Sequence, residues 1–232
     1  MLGTLINITA ILAGGFCGLL FKKGLPERLS STITHGLSLG LIALGISMGI
    51  KTNNFLIVLL SLAIGAIIGE LLNIEKHLEH LGTRLENRFQ NEKGGTFSQG
   101  FVTASLLYCT GSMAIMGSIE GGISGTYTIL ITKSLLDVIF SIIFASTMGV
   151  GVLFAAVPVL IYQGSITLAA GYIKPFLTDN MITEMNAVGG VLIMGIGFNL
   201  MEIKDIKLGN LLPALFIPIL ILWFMSSCSL IL

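Results

Sequence analysis

The chain predicts an all-α polytopic membrane protein of about eight transmembrane helices, and three observations carry that prediction. Hydrophobic residues make up 54% of it and charged residues only 10%, with a mean hydropathy of +0.96. The apolar residues fall in blocks of about 20, the length at which a helix crosses the hydrocarbon core of a bilayer. Lysines and arginines collect on alternate connections between those blocks. Such a pattern excludes an ordinary soluble domain, and a formal net charge of zero gives no bias toward nucleic acid or an acidic partner.

The blocks lie near residues 2–21, 30–50, 54–73, 100–119, 127–148, 150–172, 183–201 and 211–231, in one transmembrane domain over 1–232. The first, MLGTLINITAILAGGFCGLLFKKG, has its lysines after the apolar run, so it reads as a retained span and not a signal peptide. For the same reason GGFC is a poor lipoprotein cleavage box. One set of connections holds Lys22, Lys23, Arg28, Lys76, Arg84, Arg88, Lys93, Lys204 and Lys207, the other only Lys51 and Lys174. The positive-inside rule then places both termini outside. A seven-span reading would break this segregation.

The connection from Asn73 to Gln99 is the long one. Within it Ile74, Leu78, Leu81, Leu85 and Phe89 recur at helical spacing, predicting an amphipathic cytoplasmic helix over 74–93 that lies on the membrane or on a partner. His77 and His80 belong to its polar face, and EKGG at Glu92–Gly95 reads as a flexible link. Cys17, Cys109 and Cys228 stand singly in apolar segments, without the spacing of a zinc or redox site. No metal and no cofactor is expected.

Shifting the chain on itself by about 149 residues aligns Gly15 with Gly164, Leu19 with Leu168, Pro26 with Pro175, Ile33 with Ile182, Thr34 with Thr183 and Gly40 with Gly189. One further residue aligns Gly45 with Gly195 and Ile46 with Ile196. Spans 1–3 then correspond to spans 6–8, as repeat halves near 2–73 and 150–231, and the copies run in opposite directions. Inverted repeats of this kind belong to alternating-access transporters, whose substrate site lies near the midplane where the halves meet. Spans 4 and 5 fall between the copies.

Span 4 ends in GSMAIMGSIEGGISG, with Gly111, Gly117, Gly121, Gly122 and Gly125 and one carboxylate, Glu120, after a run that carries Thr103, Ser105, Tyr108, Thr110 and Ser112. Irregular backbone at membrane depth requires protein or a water-filled cavity around it, so the stretch predicts a broken or re-entrant helix that lines a pathway. Close helix packing through small residues is the competing explanation. Span 5 carries Lys133 and Asp137 four residues apart on one helix face. At about 1.5 Å per residue, Asp137 lies about 15 Å into a span of about 33 Å. Each such charge costs about 2.5–3.5 kcal/mol on insertion scales, so both must face protein. Either the pair locks helices as a neutral clamp, or Asp137 couples a proton or cation with Lys133 as counter-charge or anion ligand. Thr132 and Ser134 add hydroxyls beside them. Asn7, Gln163 and Asn186, further polar residues of the repeat-related spans, complete the candidate pathway with Thr110, Ser112, Glu120, Lys133 and Asp137, while Ser38 and Asn199 are additional polar groups of those spans. His35 and Glu184 correspond in the repeat and sit near span ends, where solvation explains them. Pro158, Pro213 and Pro218 permit kinks.

Neither a nucleotide-binding loop, nor a zinc-protease motif, nor a nucleophile elbow occurs, and an enzyme is not expected. The N-terminal MLGTLINITAILAGGFCGLLFKKGLPERL, the GxxIGE at Gly65–Glu70 and ASLLYCTGSMAIMGSIEGG in span 4 resemble the bacterial family of domain of unknown function 554, the YqgA-like and YdfK-like membrane proteins. The resemblance runs the length of the chain and implies a transport protein of the bacterial inner membrane, without assigning residues. The function expected is ion-coupled secondary transport of a small polar solute or ion. A channel, or a scaffold acting through the 74–90 helix, is the alternative. The partners expected are the lipid bilayer, the solute and a second copy in a homo-oligomer, with no nucleic acid.

An impermeant thiol reagent applied to intact cells is expected to label a Lys51→Cys variant in a cysteine-free background, and Lys204→Cys only after the cells are opened. The opposite pattern would invert the topology.

Overall fold

A peptide group left unpaired in hydrocarbon costs several kcal/mol, and a helix satisfies its own backbone, so each apolar block is helical. The computed structural model describes residues 1–22, 26–89 and 96–229. In order the helices are α1 (Leu2–Lys22), α2 (Glu27–Gly49), α3 (Phe55–Leu72), α4 (Ile74–Phe89), α5 (Thr96–Cys109) and α6 (Ser112–Ile123). They are followed by α7 (Thr128–Met148), α8 (Gly151–Phe154), α9 (Ala156–Ile173), α10 (Asp179–Leu200), α11 (Leu208–Leu211) and α12 (Ile217–Ser229). Short 3-10 turns occupy Lys174–Phe176 and Leu212–Leu215, and no strand occurs among the described residues.

Local signals set the boundaries. Asn54 caps α3 by accepting from the Leu56 N–H at 3.1 Å, and Asn73 ends that helix in the left-handed region at φ 51°. Thr178 caps α10 through the Met181 N–H at 3.3 Å. Pro158 has no N–H to offer the Phe154 carbonyl, and α8 gives way to α9 at Ala155. Residues Ile74 and Leu78 of α4 are half-buried while Leu81 is exposed. Residues 90–95, with the whole EKGG link, lie outside the described residues.

Seven helical segments are long and apolar enough to cross a membrane, and the pair Phe97–Cys109 and Met113–Ile123, bent by 59°, makes an eighth when it is counted as one span. The chain divides into two compact units, 1–37 with 76–109 and 113–174, and 38–75 with 110–112 and 175–232.

In the first unit α1 lies along α7. A Cβ on Gly3 would meet the Leu130 side chain at 2.7 Å, one on Gly14 would meet the Val138 Cα at 3.0 Å and the Ser141 Cβ at 3.1 Å, and one on Gly18 would run into the Ile142 carbonyl. Backbones approach this closely only where both faces are small. The order of these contacts makes α1 and α7 parallel. Along the other side of α7 the order reverses: Gly100 meets Met148, Tyr108 meets Ser141, Gly117 meets Leu130 and Gly121 meets Tyr127. The bent pair α5–α6 therefore accompanies α7 as a single antiparallel span. Thr4 meets Thr167, Asn7 meets Gln163 and Gly15 meets Leu153, so α8–α9 is antiparallel to α1. Two helices point the same way across a bilayer only when an odd number of spans separates them. Between α1 and α7 those spans are α2, α3 and the bent pair, which gives eight crossings.

In the second unit α2, from Ser38 onward, packs against α10: a Cβ on Gly45 would lie 2.5 Å from the Gly190 carbonyl oxygen, and one on Gly197 2.7 Å from that of Ser38. Similarly, Gly65 of α3 meets Ala214, and Gly69 meets the Asn210 backbone. Both pairs are antiparallel.

Gly18→Leu overpacks the α1–α7 contact and is expected to cost about 1–3 kcal/mol, read as a lower Tm in detergent. Gly40→Leu, which has open space around it, is expected to leave Tm unchanged.

Candidate functional site: a buried ion pair in the first unit

Lys133 and Asp137 are one turn apart on α7, only 6% and 5% exposed, and joined by an ion pair between Nζ and Oδ2. Because both belong to one helix, their pairing locks no second helix to it. An i,i+4 pair contributes only about 0.2–0.5 kcal/mol to a helix, against about 2.5–3.5 kcal/mol for placing each charge in the membrane. The surroundings must offset the difference. Asn7 of α1 stands beside the Asp137 carboxylate and donates from Nδ2 to Gln163 Oε1 of α9 at 3.4 Å. The ring of Tyr108 on α5 lies 5.8 Å from Lys133 Nζ, within cation–π range, and its hydroxyl shares a hydrogen bond with Ser141 at 2.7 Å. The Thr4 and Thr167 hydroxyls meet at 3.4 Å one turn nearer the start of α1.

The hydroxyls beside the pair act differently from the sequence expectation. Ser134 donates to the Leu130 carbonyl at 2.7 Å, and the exposed Thr132 to that of Thr128 at 3.0 Å. In a helix interior a Ser or Thr hydroxyl readily returns to the carbonyl four residues back, and here that takes both away from the charges. Among the described residues of the unit, four buried polar atoms make no hydrogen bond: Asn7 Oδ1, Ser118 Oγ, the Tyr162 hydroxyl and Gln163 Nε2.

Of the residues the sequence singles out, Asn7, Lys133, Asp137 and Gln163 come together. Glu120 stands apart, near the start of α7. Its carboxylate accepts from the Ile129 N–H at 3.5 Å, where Tyr127, the N-cap residue, makes no side-chain cap. A negative group is favoured at that helix end. Together with Lys174 and Ser124 it lines an open cleft of about 200 Å³. Thr110, buried, and Asn186, half-buried, belong to the second unit, and the side chain of Ser112 lies outside the described residues.

The glycines divide between the two readings. Gly111 stands at the break between α5 and α6, and Gly125 takes φ +66° in the turn before α7. Gly117, Gly121 and Gly122 are inside α6 and break nothing. They serve packing, since a Cβ on Gly117 would meet Leu130 at 2.8 Å and one on Gly122 would meet the Thr167 carbonyl.

Glu184, expected at a solvated span end, is fully buried. It accepts from the Thr52 hydroxyl and from the N–H groups of Asn53 at 2.8 Å and Asn54 at 3.2 Å, and so holds the α2–α3 turn. Asn199 likewise closes the turn after α10 through both the N–H and the carbonyl of Ile206. Sequence reasoning left Tyr108, Thr4, Thr167 and Ser141 out of the candidate site. Tyr108 had a signal, the one aromatic hydroxyl in a polar span, whereas the three small hydroxyl residues had none.

The family model described as Protein of unknown function (DUF554) matches residues 2–223. The chain is 34% identical over 234 residues to "Uncharacterized membrane protein YdfK" of Bacillus subtilis (strain 168), covering 99% of both chains. It is 33% identical over 219 residues to "Uncharacterized protein YqgA" of Escherichia coli (strain K12), covering 93% of both. No solved structure matches it.

Lys133→Met leaves a buried carboxylate without its counter-charge and is expected to destabilise the protein by about 3–5 kcal/mol, whereas Lys133→Met with Asp137→Leu is expected to be neutral or stabilising. Thermal melts of both in one detergent check the contrast.

Proposed function

The chain belongs to the family described as Protein of unknown function (DUF554) and is a membrane protein, and from that premise we propose that it is an ion-coupled secondary transporter of a small polar solute or ion. Its place is the bacterial cytoplasmic membrane, with both termini outside. The observation that carries the reading is the Lys133–Asp137 pair, buried at membrane depth and joined within one helix, so that the ion pair itself bridges no two helices. An intramembrane ionisable residue that contributes little to stability is retained for what it binds.

The packing supports alternating access. Helix α1 is antiparallel to α9, α2 to α10, and α3 to residues 208–215, each pair within one unit. These are the pairs related by the shift of about 149 residues, and a two-fold axis in the membrane plane relates inverted copies in this way.

The test is current from purified protein in liposomes on a solid-supported membrane, with steps of pH, sodium and a panel of small polar solutes. A solute-dependent current is expected in the natural protein and a current at background in Asp137→Asn. Undiminished current in that variant would remove Asp137 from the mechanism.

A further inference from the structure

Polar and apolar residues are distributed unequally on the two sides of Asp137. Toward the start of α1 lies a lane of polar side chains from α1 and α9. Thr4 and Thr167 come first, 0% and 7% exposed, and their hydroxyls meet at 3.4 Å. One turn deeper are Asn7 and Gln163, both 0% exposed and joined at 3.4 Å, with the Asp137 carboxylate beside Asn7. Three of the four unpartnered buried polar atoms of the unit lie along this lane. Asn7 Oδ1 and Gln163 Nε2 are in it. Helix α6 is parallel to α9 with Gly122 against Thr167, so Ser118, one turn earlier, comes level with Gln163. Buried polar atoms without protein partners are found where water has access.

On the far side of Asp137 the lane stops. Tyr108, fully buried, closes it through its hydrogen bond to Ser141 at 2.7 Å. Beyond stand Ala104, Phe101, Phe97, Phe144 and Val152, each buried and apolar, while the buried Ser105 and Ser146 donate to the carbonyls of Phe101 and Ile143 on their own helices.

The atoms around the carboxylate decide which ion such a lane serves. A hard metal cation takes several oxygen ligands. Asp137 instead carries the Lys133 ammonium on its carboxylate, and that ammonium repels any metal cation. The ionisable groups nearest it are Lys133 on its own helix and Tyr108 and Cys109 on α5. Helix α1 presents only Asn7 there, and α9 presents Gln163, with Tyr162 next to Cys109.

Resting on the transporter reading, we propose that the coupling ion is the proton and that it reaches Asp137 from the α1 N-terminal face through the Thr4–Thr167 and Asn7–Gln163 lane, with Tyr108 and Ser141 as the seal on the other side. A proton arriving through the lane adds to the Asp137 carboxylate. Lys133 keeps its own, and the pair passes from net zero to one positive charge. The ion pair is then broken, which frees the ammonium over Tyr108 and makes the seal sensitive to the protonation of Asp137.

Two measurements test this without a known substrate. Dicyclohexylcarbodiimide takes the proton of a protonated carboxyl group and is attacked at its central carbon by the carboxylate oxygen; the resulting O-acylisourea transfers its acyl group from oxygen to nitrogen, leaving a stable N-acylurea that peptide mass spectrometry locates. In the natural protein Asp137 is expected to be modified, with a rate that falls about tenfold per pH unit above its midpoint and that sodium does not alter. Protection by sodium, or a rate independent of pH, would overturn the proton. In a variant lacking the native cysteines, Gln163→Cys is expected to react with a small cationic methanethiosulfonate from the α1 N-terminal face only, and Phe144→Cys from neither. A Gln163→Cys that is inert, or reached from the other face, would overturn the lane. Failure of either with flux still lost in Asp137→Asn would remove this inference and leave the transporter reading standing.

Discussion

A carboxylate and an ammonium in the middle of a membrane helix can be held only if protein covers them on every side, and this requirement organises the first unit around α7. Its pair occupies one face, so the helices that cover that face must come close and must bring polar atoms with them. Helix α1 does the first through Gly3, Gly14 and Gly18 and the second through Asn7. The α5–α6 pair brings the Tyr108 ring and hydroxyl, and α9 brings Gln163 to the other end of the Asn7 amide. The opposite face of α7, with Ile131, Leu135, Leu136 and Ile139 exposed, is left for lipid.

The second unit meets a different constraint with the same materials. Its helices carry few internal charges, and its acidic side chains hold turns and helix ends. Glu184 binds the start of α3, while Glu75 accepts from the Gly209 N–H at the start of α11. Asn210 joins the start of α4 to the end of α3, accepting from the Glu75 backbone N–H at 2.8 Å and donating to the Glu70 carboxylate at 2.6 Å. Each helix start has N–H groups without intrahelical partners, and in a chain with only 10% charged residues a glutamate is a strong acceptor for them.

The glycines of span 4 show how one residue type supports two readings. Gly111, which would meet nothing within 4 Å, and Gly125, at positive φ, are there for backbone freedom. Gly117 and Gly122 are there because a neighbouring helix occupies the space of a side chain. Composition is identical in the two cases. Only the neighbours separate them, and the neighbours belong to α7 and α9, far along the chain.

What the sequence by itself determined is everything that depends on local pattern and on the bilayer as solvent: helices, their lengths, their number, and the need for Lys133 and Asp137 to face inward. These follow because hydrocarbon imposes the same rule on every residue, whatever its neighbours. Span 2 was expected near 30–50 and is Glu27–Gly49, span 5 near 127–148 and is Thr128–Met148. Only the tertiary structure decided which polar residues share a site. Asn7 and Gln163 are 156 residues apart and meet because α1 and α9 pack antiparallel, while Glu120, only 17 residues from Asp137 in the chain, is drawn to a helix start instead. Burial of Glu184 could not be read from its place near a span end, since the Thr52–Asn54 turn that covers it comes from another helix pair. Pairing of that kind is a property of packing, and packing joins residues whose separation along the chain carries no trace of it.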